Sequence, residues 1–254
     1  MNDLKWFFPE SGSECLNLFN DGFQPHAGGT FLIKTSLKLS GLFDINSVAD
    51  YKILKNTDTG IVLGSAVSYT DAASFLHAAS PGNIISVALS QAASTPLRNR
   101  ISIGGSIASS PKWSDITAPL AASGAVLRFE GSSEDIDYAV YSADRKMRKN
   151  NLVSSVSVPL DSIKGSYYRF TFTGFDYPTF TLAVSKRSDD FFVCAVNGAR
   201  DGLRVFKGNS DAVIAEASQT LSFNSERGMS EDYILSRAIS ELRRLFPKGG
   251  ADDE

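Results

Sequence analysis

Two glycine pairs are the residues of this sequence best suited to hold a ligand. They occur as AGGT at 27–30 and as IGGS at 103–106, each after an extended segment. Glycine adopts positive φ and lets a ligand approach the backbone without meeting a Cβ atom. Successive N–H groups in such a loop form a concave anion site, and the hydroxyls of Thr30, Ser106 and Ser109 can add donors. The local sequence leaves two alternatives open, phosphate-binding loops or two tight turns.

Other motifs for phosphate binding and for nucleophilic catalysis are missing from the sequence. There is no G-x-x-x-x-G-K-[ST] and no G-x-G-x-x-G, so neither a P-loop nor a Rossmann site is supported. There is also no G-x-S-x-G elbow, so the sequence does not indicate a hydrolase.

Composition and charge argue against several classes of protein. The net charge of -3 argues against a dedicated nucleic-acid binder, whose surface must neutralise phosphates. No apolar run approaches the roughly 20 residues that cross a bilayer, so no membrane span is predicted. The opening MNDLKWFFPESG has neither the apolar region nor the cleavage site of a signal peptide, and we expect a cytoplasmic protein.

Cysteine and histidine are too sparse to build a metal site. Cys15 and Cys194 are far apart, and neither His26 nor His77 has metal-ligand spacing around it. We therefore predict no metal ligands and two buried thiols. Any redox chemistry would need an organic cofactor.

Two further polar features have a functional and a structural interpretation. Asp115 lies among small residues, where it would accept a hydrogen bond from a ribose or ribityl hydroxyl or cap the helix ITAPLAAS. The basic run RKMRKN at 145–150 favours a solvated loop or a subunit contact over a phosphate site.

Short helices and strands alternate in the first part of the chain. The pattern predicts helices at 13–20, 69–80 (capped by Thr70 or Asp71), 83–94 and 116–123 (closed by Gly124). It also predicts a hairpin of KIL and IVLGSAV around NTDTG and a strand AVLRFE, while FLIKTSLKL begins with apolar residues after the first glycine pair. The segment ISIGGSIASSPKWSD is predicted to be a bare loop.

The second part of the chain alternates with period two. VSSVSVPL, RFTFTGF and PTFTLAVSKRSDDFFVCAVNG are predicted strands, with KRSDD as a hairpin turn. A final helix, 230–246, begins at Ser230 and presents an apolar stripe of Leu235, Ile239, Leu242 and Phe246. We predict an α+β chain of two domains, 1–158 and 159–254.

The motifs, in their order, resemble the FAD-binding (medium) subunit of the molybdenum hydroxylases. That family includes the medium subunit of carbon monoxide dehydrogenase and the flavin domain of xanthine dehydrogenase. The resemblance rests on FFPESGSECLNLFNDGFQPHAGGTFLI, IVLGSAVSYTD, PLRNRISIGGSIASSPKWSDITAPLAASGAVL and LVSSVSVPL, over about residues 7–160.

The resemblance implies a fold and a cofactor site. The fold is an FAD-binding lobe of the vanillyl-alcohol-oxidase/PCMH type with two subdomains, followed by a small C-terminal domain of an antiparallel sheet plus helices. The FAD pyrophosphate is expected between the two glycine segments. The implied cofactor-binding residues are Ala27, Gly28, Gly29, Thr30 and Phe31, then Ser102, Ile103, Gly104, Gly105 and Ser106, then Ser109, Ser114 and Asp115, and finally Arg169 and Asp176.

The resemblance also implies partners. An oxidoreductase subunit of this kind takes electrons from an iron–sulfur subunit, which is supplied by a molybdopterin-binding large subunit, and its flavin passes them to NAD or another acceptor. The chain has no catalytic residues for hydroxylation of its own.

Three departures from the family pattern support an alternative. Phe31 replaces the usual Asp, Ser106 replaces the usual Asn, and only Arg169 remains of the basic cluster before Asp176. A scaffold or regulatory subunit that retains the fold, with weakened or lost flavin binding, would also fit these departures. A standalone flavin oxidoreductase is a third and weaker interpretation.

Overall fold

The structure is a computed structural model that describes residues 4–32, 39–160, 164–174 and 176–246. The strands are β1 (Lys5–Phe7), β2 (Gln24–His26), β3 (Gly41–Asp44), β4 (Leu54–Asn56), β5 (Gly60–Gly64), β6 (Val126–Phe129), β7 (Asp135–Asp137), β8 (Val153–Pro159), β9 (Gly165–Phe170), β10 (Phe180–Ser188), β11 (Phe191–Ala199) and β12 (Gly202–Gly208). The helices are α1 (Gly12–Asn20), α2 (Tyr69–Ala79), α3 (Ile84–Gln91), α4 (Thr95–Arg98), α5 (Ile103–Ser109), α6 (Thr117–Ser123), α7 (Tyr138–Ala143), α8 (Arg145–Asn150), α9 (Ser210–Thr220) and α10 (Glu231–Leu245).

The chain begins with a small parallel sheet. β1 and β2 each pair with β3, and helix α1 connects the two outer strands. Cys15 on α1 packs with Phe43 and Tyr51 in a separate core beneath this sheet. The sheet therefore fixes the position of the first glycine pair, which follows β2 directly.

A five-stranded antiparallel sheet, in the order β4-β5-β8-β6-β7, forms the centre of the molecule. The predicted hairpin around NTDTG is confirmed, since Leu54 pairs with Leu63 across β4 and β5. The largest core joins this sheet to helices, with Leu63, Leu127 and Val156 from strands and Leu76, Ile85 and Leu120 from helices. Burial of such side chains supplies the main stabilisation of this layer.

The C-terminal part is an antiparallel sheet in the order β12-β11-β10-β9. Alternate side chains of its strands point to opposite faces. Ala183 and Ala195 face the central core, whereas Leu182 and Val196 pack against the side that α9 and α10 cover. This sheet thus has a helix layer on one face and the rest of the chain on the other.

Most predicted elements are confirmed. Ser230 Oγ accepts a hydrogen bond from Tyr233 N at 3.2 Å and caps α10, and Gly124 ends α6 with φ 65°. The buried face of α10 is rotated slightly from the prediction, because Ile234 and Ala238 are buried and Leu235 is only partly so. The predicted α+β class is confirmed.

Several local predictions are wrong. The cap of α2 is Ser68, which lies before Thr70 and Asp71. RKMRKN forms α8 because Asp144 caps it through Lys146 N and Met147 N. The predicted strand RFTFTGF ends at Phe170. Part of FLIKTSLKL lies outside the described residues.

Both cysteines are buried free thiols, as predicted. Burial raises the pKa of Cys15 to about 11, against an opposing hydrogen bond with Tyr51. None of the helices in the described ranges is long and apolar enough to cross a membrane.

Candidate functional site

The first glycine segment, residues 27–31, leaves β2 and rests directly on residue 100. A Cβ atom on Gly28 would lie 1.6 Å from the carbonyl oxygen of Arg100, so only glycine fits at this contact. The Arg100 guanidinium donates back from Nη2 to the Gly28 carbonyl at 2.9 Å. Gly29 has φ +69°, the left-handed region that favours glycine. Backbone packing therefore requires the pair.

The N–H groups of this first segment are open. Within the described part of the chain, the backbone nitrogens of Gly28, Gly29 and Thr30 donate no hydrogen bond. Phe31, the last residue of the segment, is 39 % exposed. The segment can therefore offer successive donors to an anion without breaking a bond inside the protein.

The second glycine segment is helix α5, and the prediction of a bare loop is wrong. Its first N–H groups are all engaged: Ile103 N donates to Val67 O at 2.9 Å, and Gly104 N donates to Ser65 O at 2.8 Å. Gly105 N donates to Ser102 Oγ at 3.1 Å, the cap of this helix. The chain turns helical here because a capping serine and two neighbouring carbonyls satisfy its donors.

The glycines and hydroxyls of this helix serve its own packing. A Cβ on Gly104 would lie 2.5 Å from Ser65 Cβ, so the residue lets the helix touch the end of β5. Ser106 Oγ donates to Ser102 O at 3.1 Å, and Ser109 Oγ donates to Gly105 O at 2.7 Å. Both hydroxyls therefore bond to carbonyls one turn back.

A cavity of about 510 Å³ lies between the two glycine segments. The predicted site residues that line it are Ala27, Gly28 and Ser102. Its other polar lining residues were not predicted, and these are Asn46, Lys52, Ser68, Asp71, Asn99 and Arg100. The two cations and one carboxylate give the lining a net positive formal charge. Asn99 and Arg100 lie just before the second glycine segment, and that position in the sequence could have identified them.

His26, at the end of β2, lies under the first segment. Its Nε2 is 2.8 Å from the position of a Cβ on Gly29, and its ring meets Trp6 edge-on at 4.9 Å. Burial lowers the pKa of His26, Asp44 opposes that shift and Arg100 adds to it. The lowered pKa favours the neutral imidazole at pH 7, so the cation next to the first segment is Arg100.

A second group of predicted residues gathers around Asp115. Asp115 is 8 % exposed, and its Oδ1 accepts two hydrogen bonds, from Tyr167 Oη at 2.8 Å and from Arg169 Nε at 2.9 Å. Burial raises the pKa of Asp115, and Arg169 and Tyr167 oppose that rise. Asp115 does not cap α6, whose cap residue is Ile116. The capping alternative is wrong.

Arg169 extends this group to Asp176. Its Nη2 donates to the Asp176 carbonyl at 3.1 Å, while Arg227 Nη1 reaches the Asp176 carboxylate at 2.8 Å. Partial desolvation raises the pKa of Asp176, but hydrogen bonds from Thr173 and Arg227 outweigh it and lower the pKa. Arg227 comes from a distant loop and was not predicted. No pattern near it in the sequence marked it.

The remaining predicted residue, Ser114, belongs to the second group by position. It is buried beside Asp115, and its carbonyl accepts from Asn197 Nδ2 at 3.2 Å. The predicted residues therefore lie in two groups. One is the open first segment beside the cavity, and the other is the ionic group around Asp115. Helix α5 lies between them in the chain.

The chain belongs to the family described as the FAD binding domain in molybdopterin dehydrogenase, whose sequence model matches residues 2–161. The resemblance based on motifs over residues 7–160 is confirmed, and with it FAD as the cofactor of this domain. The chain is accordingly part of an oxidoreductase of the molybdenum hydroxylase type. No curated protein sequence shows significant similarity to it.

Solved structures show the same fold over nearly the whole chain. Quinoline 2-oxidoreductase from Pseudomonas putida 86 is 17% identical, with a TM-score of 0.82 over 96% of this chain and 95% of that chain. Carbon monoxide dehydrogenase from Hydrogenophaga pseudoflava, in a form that lacks the Mo-pyranopterin moiety of the molybdenum cofactor, is 18% identical, with a TM-score of 0.83 over 95% of each chain. Reconstituted CO dehydrogenase from Oligotropha carboxidovorans is 18% identical, with a TM-score of 0.82 over 96% of each chain. The predicted fold, a flavin-binding lobe followed by an antiparallel sheet with helices, is confirmed.

Proposed function

We propose that this chain is the electron-transfer subunit of a molybdenum hydroxylase-type complex. Its FAD would accept electrons from an iron–sulfur subunit, itself supplied by a molybdopterin-binding large subunit, and pass them to NAD or another acceptor. The single observation that carries FAD binding is the open first glycine segment beside a cation-lined cavity. The proposal keeps two domains, 1–158 and 159–254, and a cytoplasmic location.

The residues of the first segment fit a pyrophosphate group. A diphosphate carries negative charge and several acceptor oxygens, and it binds best to paired N–H donors and cations. The free N–H groups of residues 28–30 supply the donors, while Arg100 and Lys52 supply positive charge at the cavity. A Cβ atom on Gly28 would overlap the Arg100 carbonyl and one on Gly29 would meet the His26 ring, so either side chain would displace this segment.

The residues of the second group fit the polyol part of FAD. Asp115 uses Oδ1 for both of its protein donors, so Oδ2 can accept from a hydroxyl. When bound, FAD supplies the chemistry that joins one-electron carriers to a two-electron acceptor. The protein contributes binding, orientation and the local charge.

One observation favours the alternative of a scaffold with weakened flavin binding. The N–H groups of Ile103, Gly104 and Gly105 are already engaged, so the second segment offers fewer free donors than the resemblance implies. The affinity for FAD then depends mainly on the first segment and on Asp115.

The test is a titration of the purified chain with FAD, followed by flavin absorbance and fluorescence quenching. We expect stoichiometric uptake and a flavin spectrum that survives gel filtration. A chain that neither carries nor takes up FAD would leave only the scaffold alternative.

A second test addresses the partners. A tagged chain, purified gently from its native source, should co-purify with protein that contains iron and acid-labile sulfide. If it is recovered without such protein, and if it oxidises NADH alone, the standalone oxidoreductase replaces the complex.

A further inference from the structure

The ionic group around Asp115 joins two parts of the chain that are far apart in sequence. Asp115 precedes α6, whereas Tyr167 and Arg169 lie on β9, the edge strand of the C-terminal sheet. Residues 167 and 169 are two apart and therefore share one face of the strand. That face is turned toward the central core, since Tyr167 packs against it while Tyr168 packs against the opposite cluster.

One carboxylate oxygen of Asp115 has no side-chain donor among the described residues. Both protein donors converge on Oδ1, at 2.8 and 2.9 Å, and no other described side chain donates to Oδ2. The side chains of the Arg169–Asp115 pair are only 11% and 9% exposed, so solvent does not compete strongly for this ion pair. The orientation of Asp115 is thus set from the C-terminal sheet.

The same arginine holds the turn that follows β9. Its two terminal nitrogens donate to the carbonyls of Gly174, at 3.4 Å, and of Asp176, at 3.1 Å. One guanidinium therefore fixes both the carboxylate of Asp115 and the backbone near Asp176. A lysine could not make these divergent contacts together.

We propose that Tyr167 and Arg169 are positioning residues for FAD, which orient Asp115 so that its Oδ2 accepts a hydrogen bond from the ribityl chain. The C-terminal sheet then contributes to the flavin site, because its edge strand β9 orients Asp115. This inference rests on the proposed function, because it takes FAD as the ligand.

The experiment compares FAD with ADP, which has the pyrophosphate and adenosine end of FAD but no ribityl chain. Wild type, R169M, R169K and Y167F are titrated with each ligand, and R128M is the matched control. Arg128 makes an exposed ion pair with Asp135 and lies outside the site. We expect R169M to bind FAD about tenfold more weakly, since a hydrogen bond to a charged group is lost, with ADP affinity unchanged.

The other variants refine the expected pattern. R169K should recover part of the FAD affinity, Y167F should weaken FAD binding about threefold, and R128M should match wild type. The visible circular dichroism of bound flavin should change in R169M, because the ribityl chain fixes the orientation of the ring system.

A double variant separates positioning from folding. R169M alone leaves a buried carboxylate unpaired and lowers the thermal midpoint, whereas D115N together with R169M removes both charges and should recover it. The double variant should still bind FAD about tenfold more weakly than wild type.

Three results would overturn the inference. The first is an R169M variant with wild-type FAD affinity. The second is a parallel loss of FAD and ADP binding. The third is a double variant that recovers FAD affinity together with stability. If wild type itself fails to bind FAD, the proposed function fails instead.

Discussion

The two glycine segments have almost the same local sequence but opposite structures. Residues 27–31 form an open turn whose N–H groups at 28–30 make no bond within the described chain, while residues 103–106 begin a helix whose first N–H groups are all taken. A Gly-Gly pair followed by a hydroxyl residue therefore does not define a phosphate site by itself. The neighbouring carbonyls decide whether its donors remain free.

The glycines differ in the same way. Gly28 lets the first segment lie on the Arg100 carbonyl beside the cavity, whereas Gly104 lets α5 lie on Ser65 inside the central core. A side chain at the first position would disturb ligand binding, and a side chain at the second would disturb folding. Substitutions at these two positions test this division directly.

The largest effect is expected for Gly104→Ala. Its Cβ would lie 2.5 Å from Ser65 Cβ and 2.8 Å from Ser65 O, at a buried position. We expect the free energy of unfolding to fall by about 3 kcal/mol, measured by urea denaturation. If the variant is as stable as wild type but binds FAD more weakly, the second segment is a ligand site and the division is wrong.

Gly28→Ala should have the next largest effect, on ligand affinity. The new Cβ would overlap the Arg100 carbonyl, so the first segment must move away from residue 100. We expect about 100-fold weaker FAD binding, about 2.7 kcal/mol, with a smaller loss of stability. Fluorescence titration and thermal unfolding measure the two quantities, and equal affinity in variant and wild type would contradict the assignment.

Arg100→Met tests the charge beside the first segment. The change removes a cation of the cavity and the hydrogen bond to the Gly28 carbonyl. We expect FAD affinity to fall about tenfold and its salt dependence to weaken. Arg128→Met is the control, and a similar loss in that variant would mean that net charge alone is responsible.

Ser102→Ala tests the second segment at its cap. The Ser102 Oγ that accepts from Gly105 N would be lost, at a cost of about 1 kcal/mol in unfolding free energy. The freed Gly105 N–H would also become available to a ligand. Unchanged or tighter FAD binding in a less stable variant would support a structural role for the second segment. A large loss of FAD affinity would contradict that role.

The smallest effect concerns pH. The folded-state pKa of His26 is lowered, mainly by burial, so the unfolded chain binds more protons below the ordinary value of 6.5. Stability from this group is complete above that pH and decreases as the pH falls below it. Thermal midpoints between pH 5 and 7.5 should show a shallower slope in His26→Gln, and equal slopes would exclude His26 as the source.

Local signals predicted the regular elements well. The cap at Ser230, the helix end at Gly124 and the hairpin around NTDTG each depend on a few neighbouring residues, and the structure confirms all three. The capping signal at Ser102 also lies within a few residues of its helix, but the glycines after it favoured a loop in the sequence-based interpretation. The missed helix α5 shows that a strong cap outweighs two glycines when nearby carbonyls accept their N–H groups.

The site itself was only partly predictable. Asp115, Arg169 and Asp176 were identified, but Tyr167 and Arg227 were not, since their partners lie about 50 residues away in the chain. The basic cluster that the resemblance led us to expect in one segment is, in the structure, one arginine on β9 and one from a distant loop.

By itself, the sequence determined most of the helices and strands, the family and its cofactor, because motifs and caps depend on neighbouring residues and on their order. Only the tertiary structure decided which glycine pair keeps its donors free and which carboxylate receives an arginine. Those properties depend on contacts between distant segments, such as Gly104 with Ser65 or Asp115 with Arg169, and a buried N–H or carboxylate takes whichever partner the fold brings to it.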